Sequence, residues 1–469
     1  MKRTRKFEMV LWICTICLFL VLLVSHAYND IIVTTRHGIN FWDILLNGDF
    51  LAFYDRNVTA SGNTVYSDVQ GCAYNILVYI VFAIWNLPLY LMERFASVDV
   101  MNSIPCLAYA KLLPVAAVAI TAVIVKKILE ELHVSKDQHS LLLYLYVSST
   151  LLTTVIFITG QYDILSLIPQ LLGVYAFIKG NDRQFVIWFG IAFCFKFFSL
   201  VIFLPLLLLR YKKIHQWIKS LAGMIAVWLP TKIPFWIYAF FSKSTTTVTS
   251  GGELLAAKLF KGMLFSSNID KNVNIFIVVY AAIIIWCYLQ EYDSETSLRK
   301  GIWVCMLSYA AFFGLMNVFP YWSILLAPFV TLVIAMAPQY LYINIILETV
   351  GYAGLVGVNM CRYNWTYFGK TLQPMIWSRI LEGTRFHADY TGSFVYDVFV
   401  NMLSYPEIQT MIISVFIAAM IALAYITYPC SSRPVLQNHP DSEKYGDVLL
   451  IRFLVNTFIC LLPIIAVFV

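Results

Sequence analysis

Apolar runs long enough to cross a bilayer recur from one end of this chain to the other, and that pattern excludes the soluble fold classes. A spanning helix needs ~20 largely apolar residues to cover the hydrocarbon thickness. Such runs begin at about 9–27 and recur as far as about 449–468. Only 12% of the 469 residues are charged, 60% are hydrophobic, and the mean hydropathy is +0.76. A soluble domain carries roughly 25% charged residues. The net charge of +6 is therefore information about topology rather than a nucleic-acid footprint, because Lys and Arg stay on the cytoplasmic side of a membrane. The ten cysteines are scattered, mostly inside apolar runs, with neither metal-ligand spacing nor a disulfide framework.

The positive-inside rule orders the runs. The basic N-terminus Lys2-Arg3-Thr4-Arg5-Lys6 precedes an apolar core longer than the ~7–15 residues of a signal peptide. It reads as a retained first helix, in to out. An outer loop over 28–72 follows, with short interfacial helices expected at Phe41–Leu46 and Phe50–Tyr54. The run 73–92 carries Asn75, Asn86 and Pro88. Flanking charges argue against a crossing there, so a re-entrant or surface-lying helix is expected. Crossings are expected at 105–125, 140–158 and 164–178. The stretch from Arg183 to Arg210 is basic at both ends, with Lys196 near its midpoint. A short helical hairpin turning at Lys196 satisfies that pattern. Further crossings are expected at 218–240, 273–289, 301–318, 322–337, 340–358, 407–427 and 449–468, with outer loops at 241–272 and 359–406. The expected fold is all-α, with about 13 transmembrane helices. It divides into an N-terminal module, 1–215, and a C-terminal module, 216–469. No internal repeat is visible.

Four polar features interrupt the apolar pattern. Asp30 follows the first helix; by itself it reads as a solvated helix end, because a carboxylate is cheap at the interface and costly at the bilayer centre. Gly160-Gln161-Tyr162-Asp163 falls on the same face in this topology, and its bland reading is a polar turn between helices. Lys196, between Phe195 and Phe197, is costly without a counter-charge, and lone intramembrane charges are functional candidates by default. Lys232, in Pro230-Thr231-Lys232-Ile233-Pro234, is a weaker case of the same kind, and Glu348 has no assignable role. Phe319-Pro320-Tyr321-Trp322 fits an interfacial aromatic belt. Asn57-Val58-Thr59 and Asn364-Trp365-Thr366 match glycosylation sequons.

Two outer-face carboxylates, an embedded cation and an amphipathic outer loop suit sugar transfer from a lipid phosphate. An acceptor hydroxyl must lose its proton as it attacks the anomeric carbon, and a positioned carboxylate can take it. The departing phosphate develops negative charge, which a fixed cation stabilises where water is excluded. With one base and attack from the opposite face, the anomeric centre inverts, by analogy with inverting glycosidases.

These residues resemble the GT-C superfamily of polytopic glycosyltransferases that use polyprenyl-phosphate sugars. The resemblance rests on Asp30, on His37-Gly38-Ile39-Asn40-Phe41-Trp42 with Gly48 and Tyr54, on Gly160–Asp163, and on Phe195-Lys196 leading to Leu204-Pro205. Tyr321-Trp322 with Pro328 is similar to a late helix of that superfamily. The resemblance covers the first 215 residues best. It implies Asp30 as catalytic base, Asp163 as its support and Lys196 beside the donor phosphate. Gln161, Tyr162, His37, Trp42, Tyr321 and Trp322 are the accompanying candidates for substrate contacts. Asp163 is followed by Ile164 and Leu165, so the Asp-x-Asp pair of oligosaccharide-transferring members is missing. That argues against a metal-dependent role of that kind. No cofactor is expected, and divalent metal dependence stays open.

The expected activity is transfer of a monosaccharide from a polyprenyl-phosphate donor to an extracytoplasmic glycan or lipid acceptor, in a membrane taken to be the bacterial plasma membrane. Nucleic acid is not an expected partner. Two rivals remain. A lipid-linked glycan flippase or transporter would line a path near the midplane with polar groups. A polysaccharide polymerase or ligase would use arginines on a large outer loop, and 359–406 holds Arg362, Arg379 and Arg385.

Overall fold

The computed structural model describes residues 2–59, 72, 74–242, 264–265, 273–292, 294–368, 372–380, 390, 392–429, 435–436 and 442–469. The described chain is all-α apart from two short strand pairs. Most of the outer loop expected at 241–272 lies outside the described residues.

The first helix, Lys2–Ser25, gives way to an extended segment, His26–Tyr28. This segment pairs antiparallel with Leu372–Pro374, His26 opposite Pro374 and Tyr28 opposite Leu372. Part of the late loop is thereby laid across the exit of the first helix. The short interfacial helices expected at 41–46 and 50–54 are instead one long helix, Asn29–Leu46, then a 3-10 turn, Phe50–Ala52, and a helix, Phe53–Thr59. Asp30 falls in the first turn of the long helix, where a negative charge complements the exposed N–H groups of the helix end.

That helix packs against Ile76–Trp85. Gly38 sets the approach: a Cβ built there would stand 2.9 Å from the backbone carbon and oxygen of Phe82. Backbone cannot yield as a side chain can, so the two helices must separate. Gly38→Ala is expected to cost about 1–3 kcal/mol, the usual penalty of overpacking, read as a lower unfolding temperature in detergent.

The run expected to be a re-entrant or surface-lying helix is a bent helix pair. Ile76–Trp85 and Leu87–Ala96 meet at 59°. Asn86 sits at the break and Pro88 opens the second helix, where its missing N–H is not needed. Lys136–Val147 and Thr150–Ile158 meet at 50°, and Ile214–Thr231 and Ile233–Ser242 at 47°.

The expected hairpin is present. Asp182–Phe195 runs up, the chain turns at Lys196, and Leu200–Arg210 returns. Its base is closed by an ion pair between Arg210 and Asp182, and Arg210 also donates to the carbonyl of Phe177 at 3.0 Å.

Among the described residues, five helices are long and apolar enough to cross a membrane: Lys6–Ser25, Ile104–Glu131, Pro338–Arg362, Pro406–Ile426 and Tyr445–Phe468. Counting each bent pair as one span raises the number to eight. The chain thus has the helices of an integral membrane protein. The expected crossings coincide in position with helices, but the count of 13 is not reached on this measure. Ile164–Ile178, Phe197–Arg210, Ile275–Leu289 and Pro320–Ala335 are short apolar helices of 10–17 residues. At 1.5 Å per residue such helices fall short of the ~30 Å hydrocarbon layer.

The long helices are locked together by a buried ion pair. Glu348, unassigned from sequence, faces Arg452, and both are under 5% exposed. The guanidinium is bidentate, with Nε 2.8 Å from Oε2 and Nη2 2.9 Å from Oε1. It also donates to Ser148 Oγ and to the carbonyl of Leu145, both at 2.6 Å. Those acceptors lie at the 50° break, where helical carbonyls lack their usual partners.

Candidate functional site

Three polar breaks in the helical pattern converge. Asp30 comes from the first turn of Asn29–Leu46. Gln161, Tyr162 and Asp163 come from the turn between Thr150–Ile158 and Ile164–Ile178. Lys196 comes from the tip of the hairpin. Gly160 makes the middle turn possible, since its φ of +64° suits a residue without a Cβ.

Gln161 Nε2 donates to Asp30 Oδ2 at 2.8 Å. Lys196 Nζ lies 2.7 Å from Asp163 Oδ1. Asp163 and Gln161 are 1% exposed and Lys196 9%, so this second pair is closed off from solvent. Asp30 and Asn29 are only half-buried. Gln161 Oε1 and Asn29 Oδ1 have no hydrogen-bond partner among the described residues. Desolvation pushes the Asp30 carboxyl up to about 6. The Gln161 hydrogen bond and the Lys196 charge oppose that rise, and the neighbouring Asp163 charge adds to it. A carboxylate with such a pKa is still ionised at neutral pH but takes a proton more readily than a solvated one, as a general base requires.

Aromatic faces enclose the cation. Lys196 Nζ stands 4.6 Å from the ring centre of Tyr74, 5.4 Å from Tyr162 and 5.8 Å from Trp322. Ring faces are negative, and at these distances they hold the ammonium in place. Tyr28 bridges to the late helices, its ring 6.5 Å from Tyr321 and 6.3 Å from Trp365.

The structure therefore brings together Asp30, Gln161, Tyr162, Asp163, Lys196 and Trp322, with Tyr321 beside Tyr28. His37 and Trp42 stand apart from the group. The His37 ring meets Tyr79 edge-on at 5.6 Å, and the Trp42 indole donates to the carbonyl of Ala83 at 2.8 Å. Both serve the contact between Asn29–Leu46 and Ile76–Trp85. Asn57 is fully buried and accepts from Asn40 Nδ2 at 2.9 Å, so its sequon is closed in the folded chain. Arg362 donates to Gln409 at 3.4 Å. The side chains of Arg379 and Arg385 lie outside those described. Among the described residues no three His, Cys, Asp or Glu side chains converge as a metal site would need.

Tyr74 and Lys111 were not singled out by sequence reasoning. Lys111 is a lone charge in the run 105–125, the same signal that marked Lys196. It is fully buried, and its ammonium donates to the carbonyls of Leu22 at 3.1 Å, His26 at 2.8 Å and Phe157 at 2.8 Å. Its three protons meet three acceptors at the C-terminal ends of two helical segments, where the backbone dipole is negative. His26 precedes Asp30 by four residues, and Phe157 precedes Gln161 by four. One ammonium therefore ties the two segments that carry the Asp30–Gln161 hydrogen bond. Lys111→Met would strand buried carbonyls at about 1–3 kcal/mol each. It is expected to lower the unfolding temperature in detergent, and Lys111→Arg is not expected to rescue it. The guanidinium is larger, and a Cβ at Gly160 would already stand 3.3 Å from the Lys111 stem.

No family model, curated protein or solved structure matches this chain.

Proposed function

We propose that the protein is an integral-membrane glycosyltransferase of GT-C type. It moves one sugar from a polyprenyl-phosphate donor to a glycan or lipid acceptor on the extracytoplasmic side of a bacterial plasma membrane, with inversion. The observation that carries this reading is the half-buried Asp30 carboxylate, held by Gln161 beside the closed Asp163–Lys196 pair. Asp30 takes the proton of the acceptor hydroxyl as that oxygen bonds to the anomeric carbon. The bond from that carbon to the phosphate oxygen breaks, and the phosphate leaves with the electron pair. Gln161 fixes the direction of the carboxylate. Asp163 neutralises Lys196, and the aromatic rings around that pair keep water out.

The test is the surface glycan of a deletion strain rescued with wild type or Asp30→Asn at matched membrane expression. Deletion is expected to remove one sugar substituent, and the Asn variant to leave it missing. Full rescue by Asp30→Asn would sink the assignment of Asp30 as base and favour the transporter. The transporter reading draws on the Glu348–Arg452 pair, which lies inside two long apolar helices, where intramembrane charges often mark a path. Against it, the guanidinium is buried and four of its five N–H groups are spent on Glu348, Ser148 and Leu145, so the pair reads as a structural lock between helices.

A further inference from the structure

Lys196 is the cation that the sequence places beside a phosphate, yet Asp163 already neutralises it. A second lysine nearby has no such partner. Lys232 is 1% exposed, and its Nζ makes no hydrogen bond among the described residues. Taking an ammonium out of water costs several kcal/mol unless an opposite charge accompanies it. A chain that keeps one in such a place calls for an anion.

The position of Lys232 says which anion. It sits at the 47° break between Ile214–Thr231 and Ile233–Ser242, just ahead of a ten-residue helix. Thr231 Oγ1 accepts from Asn75 Nδ2 at 2.6 Å. Asn75 adjoins Tyr74, whose ring faces Lys196. Phe235, one turn onward, packs on Phe50 and Tyr54 of the first loop at 5.5 and 5.1 Å. The lysine is thus linked to the acidic site through Thr231, Asn75 and Tyr74. Beyond it the helix presents Ile233, Trp236, Ile237, Phe240 and Phe241 outward, the last two 79% and 78% exposed. A charged seat continuing into an open apolar strip is the shape of an amphiphile.

We propose that Lys232 seats the phosphate head of an anionic lipid whose tail lies along the outward face of Ile233–Ser242. Thr231 and Ile233, on either side, reach the surface, and a turn of the flexible lysine stem brings the ammonium out between them. The choice of a carrier-type lipid rests on the proposed sugar transfer; the phosphate seat does not.

The experiment titrates the purified full chain in detergent and follows its unfolding temperature. The probes are citronellyl phosphate, phosphatidylglycerol and inorganic phosphate. A lipid phosphate is expected to stabilise wild type saturably. Lys232→Met should need at least tenfold more of it, while Lys232→Arg stays close to wild type. Stabilisation by citronellyl phosphate alone identifies a phosphomonoester carrier as the occupant; equal stabilisation by phosphatidylglycerol identifies bulk lipid. Equal titration of Lys232→Met and wild type overturns the proposal, as does stabilisation of wild type by inorganic phosphate at the same concentration. If Lys232→Met does not fold, Lys232→Gln carries the same comparison. Asp30→Asn is run in parallel and is expected to bind as wild type does. Loss of binding in Lys232→Met with full sugar transfer in Asp30→Asn would retire the base assignment and leave the lipid seat standing.

Discussion

Replacing Asp30 by Asn is expected to lower the rate of sugar transfer by about 10²–10⁴-fold, the usual contribution of a positioned general base. The Asn side chain keeps the size and can still face Gln161, so folding and membrane insertion should survive. What is lost is the ability to take a proton. The pH profile separates this from a structural defect. With the carboxyl at about 6, the active form is the deprotonated one. Activity should therefore rise as pH rises through about 6 and flatten above it, and each unit below should cost close to tenfold. In Asp30→Asn the residual activity should lose that acid limb. Gln161→Ala removes the hydrogen bond that steadies the ionised form. It is expected to move the limb to higher pH. A residual Asn activity that keeps the acid limb near pH 6 would assign that titration to another group.

The second large effect belongs to stability. Arg452→Met leaves Glu348 as an unpaired carboxylate among apolar helices, and breaking a buried pair from one side costs about 3–5 kcal/mol. It also strands the Leu145 carbonyl at the helix break. The unfolding temperature in detergent should fall sharply. The double variant Glu348→Met, Arg452→Met should recover most of the loss, because apolar pairs of similar volume replace buried ion pairs at little cost. Glu348→Met alone should be as damaging as Arg452→Met, since it leaves the guanidinium unmatched. A double variant no better than either single one would mean that the charges do more than neutralise each other.

The helices were legible in sequence because their signal is local. A run of apolar residues with a polar break at each end announces itself, and Ile164–Ile178 and Pro406–Ile426 fall within a residue or two of their expected ranges. The hairpin at Lys196 was legible for another reason: two basic ends cannot lie on opposite faces, and Arg210 does return to Asp182. Partnership was not legible. Gln161 finds Asp30 across 131 residues, and Glu348 finds Arg452 across 104. A single charge in an apolar run says that it must be satisfied but not by what. Lys111 is the extreme case, since its partners are carbonyls, which every residue has. The strand pair His26–Tyr28 with Leu372–Pro374 is too short for any alternation to show. His37 and Trp42 stand away from the carboxylates, which sequence alone could not show: the His37 ring packs on Tyr79 and the Trp42 indole donates to the carbonyl of Ala83.

The ammonium of Lys111 gives one side of the site a common anchor. By holding Leu22, His26 and Phe157 at once, it makes the exits of two helices and the middle of a third into a single anchored frame. The carboxylate and the amide that steers it leave that frame four residues beyond two of its anchor points, His26 and Phe157. Tyr321, Trp322 and Trp365 arrive on later segments that Lys111 does not touch, and Tyr321 and Trp365 stack toward Tyr28. On the proposed transferase reading, the aromatic side is where an acceptor would meet the carboxylate.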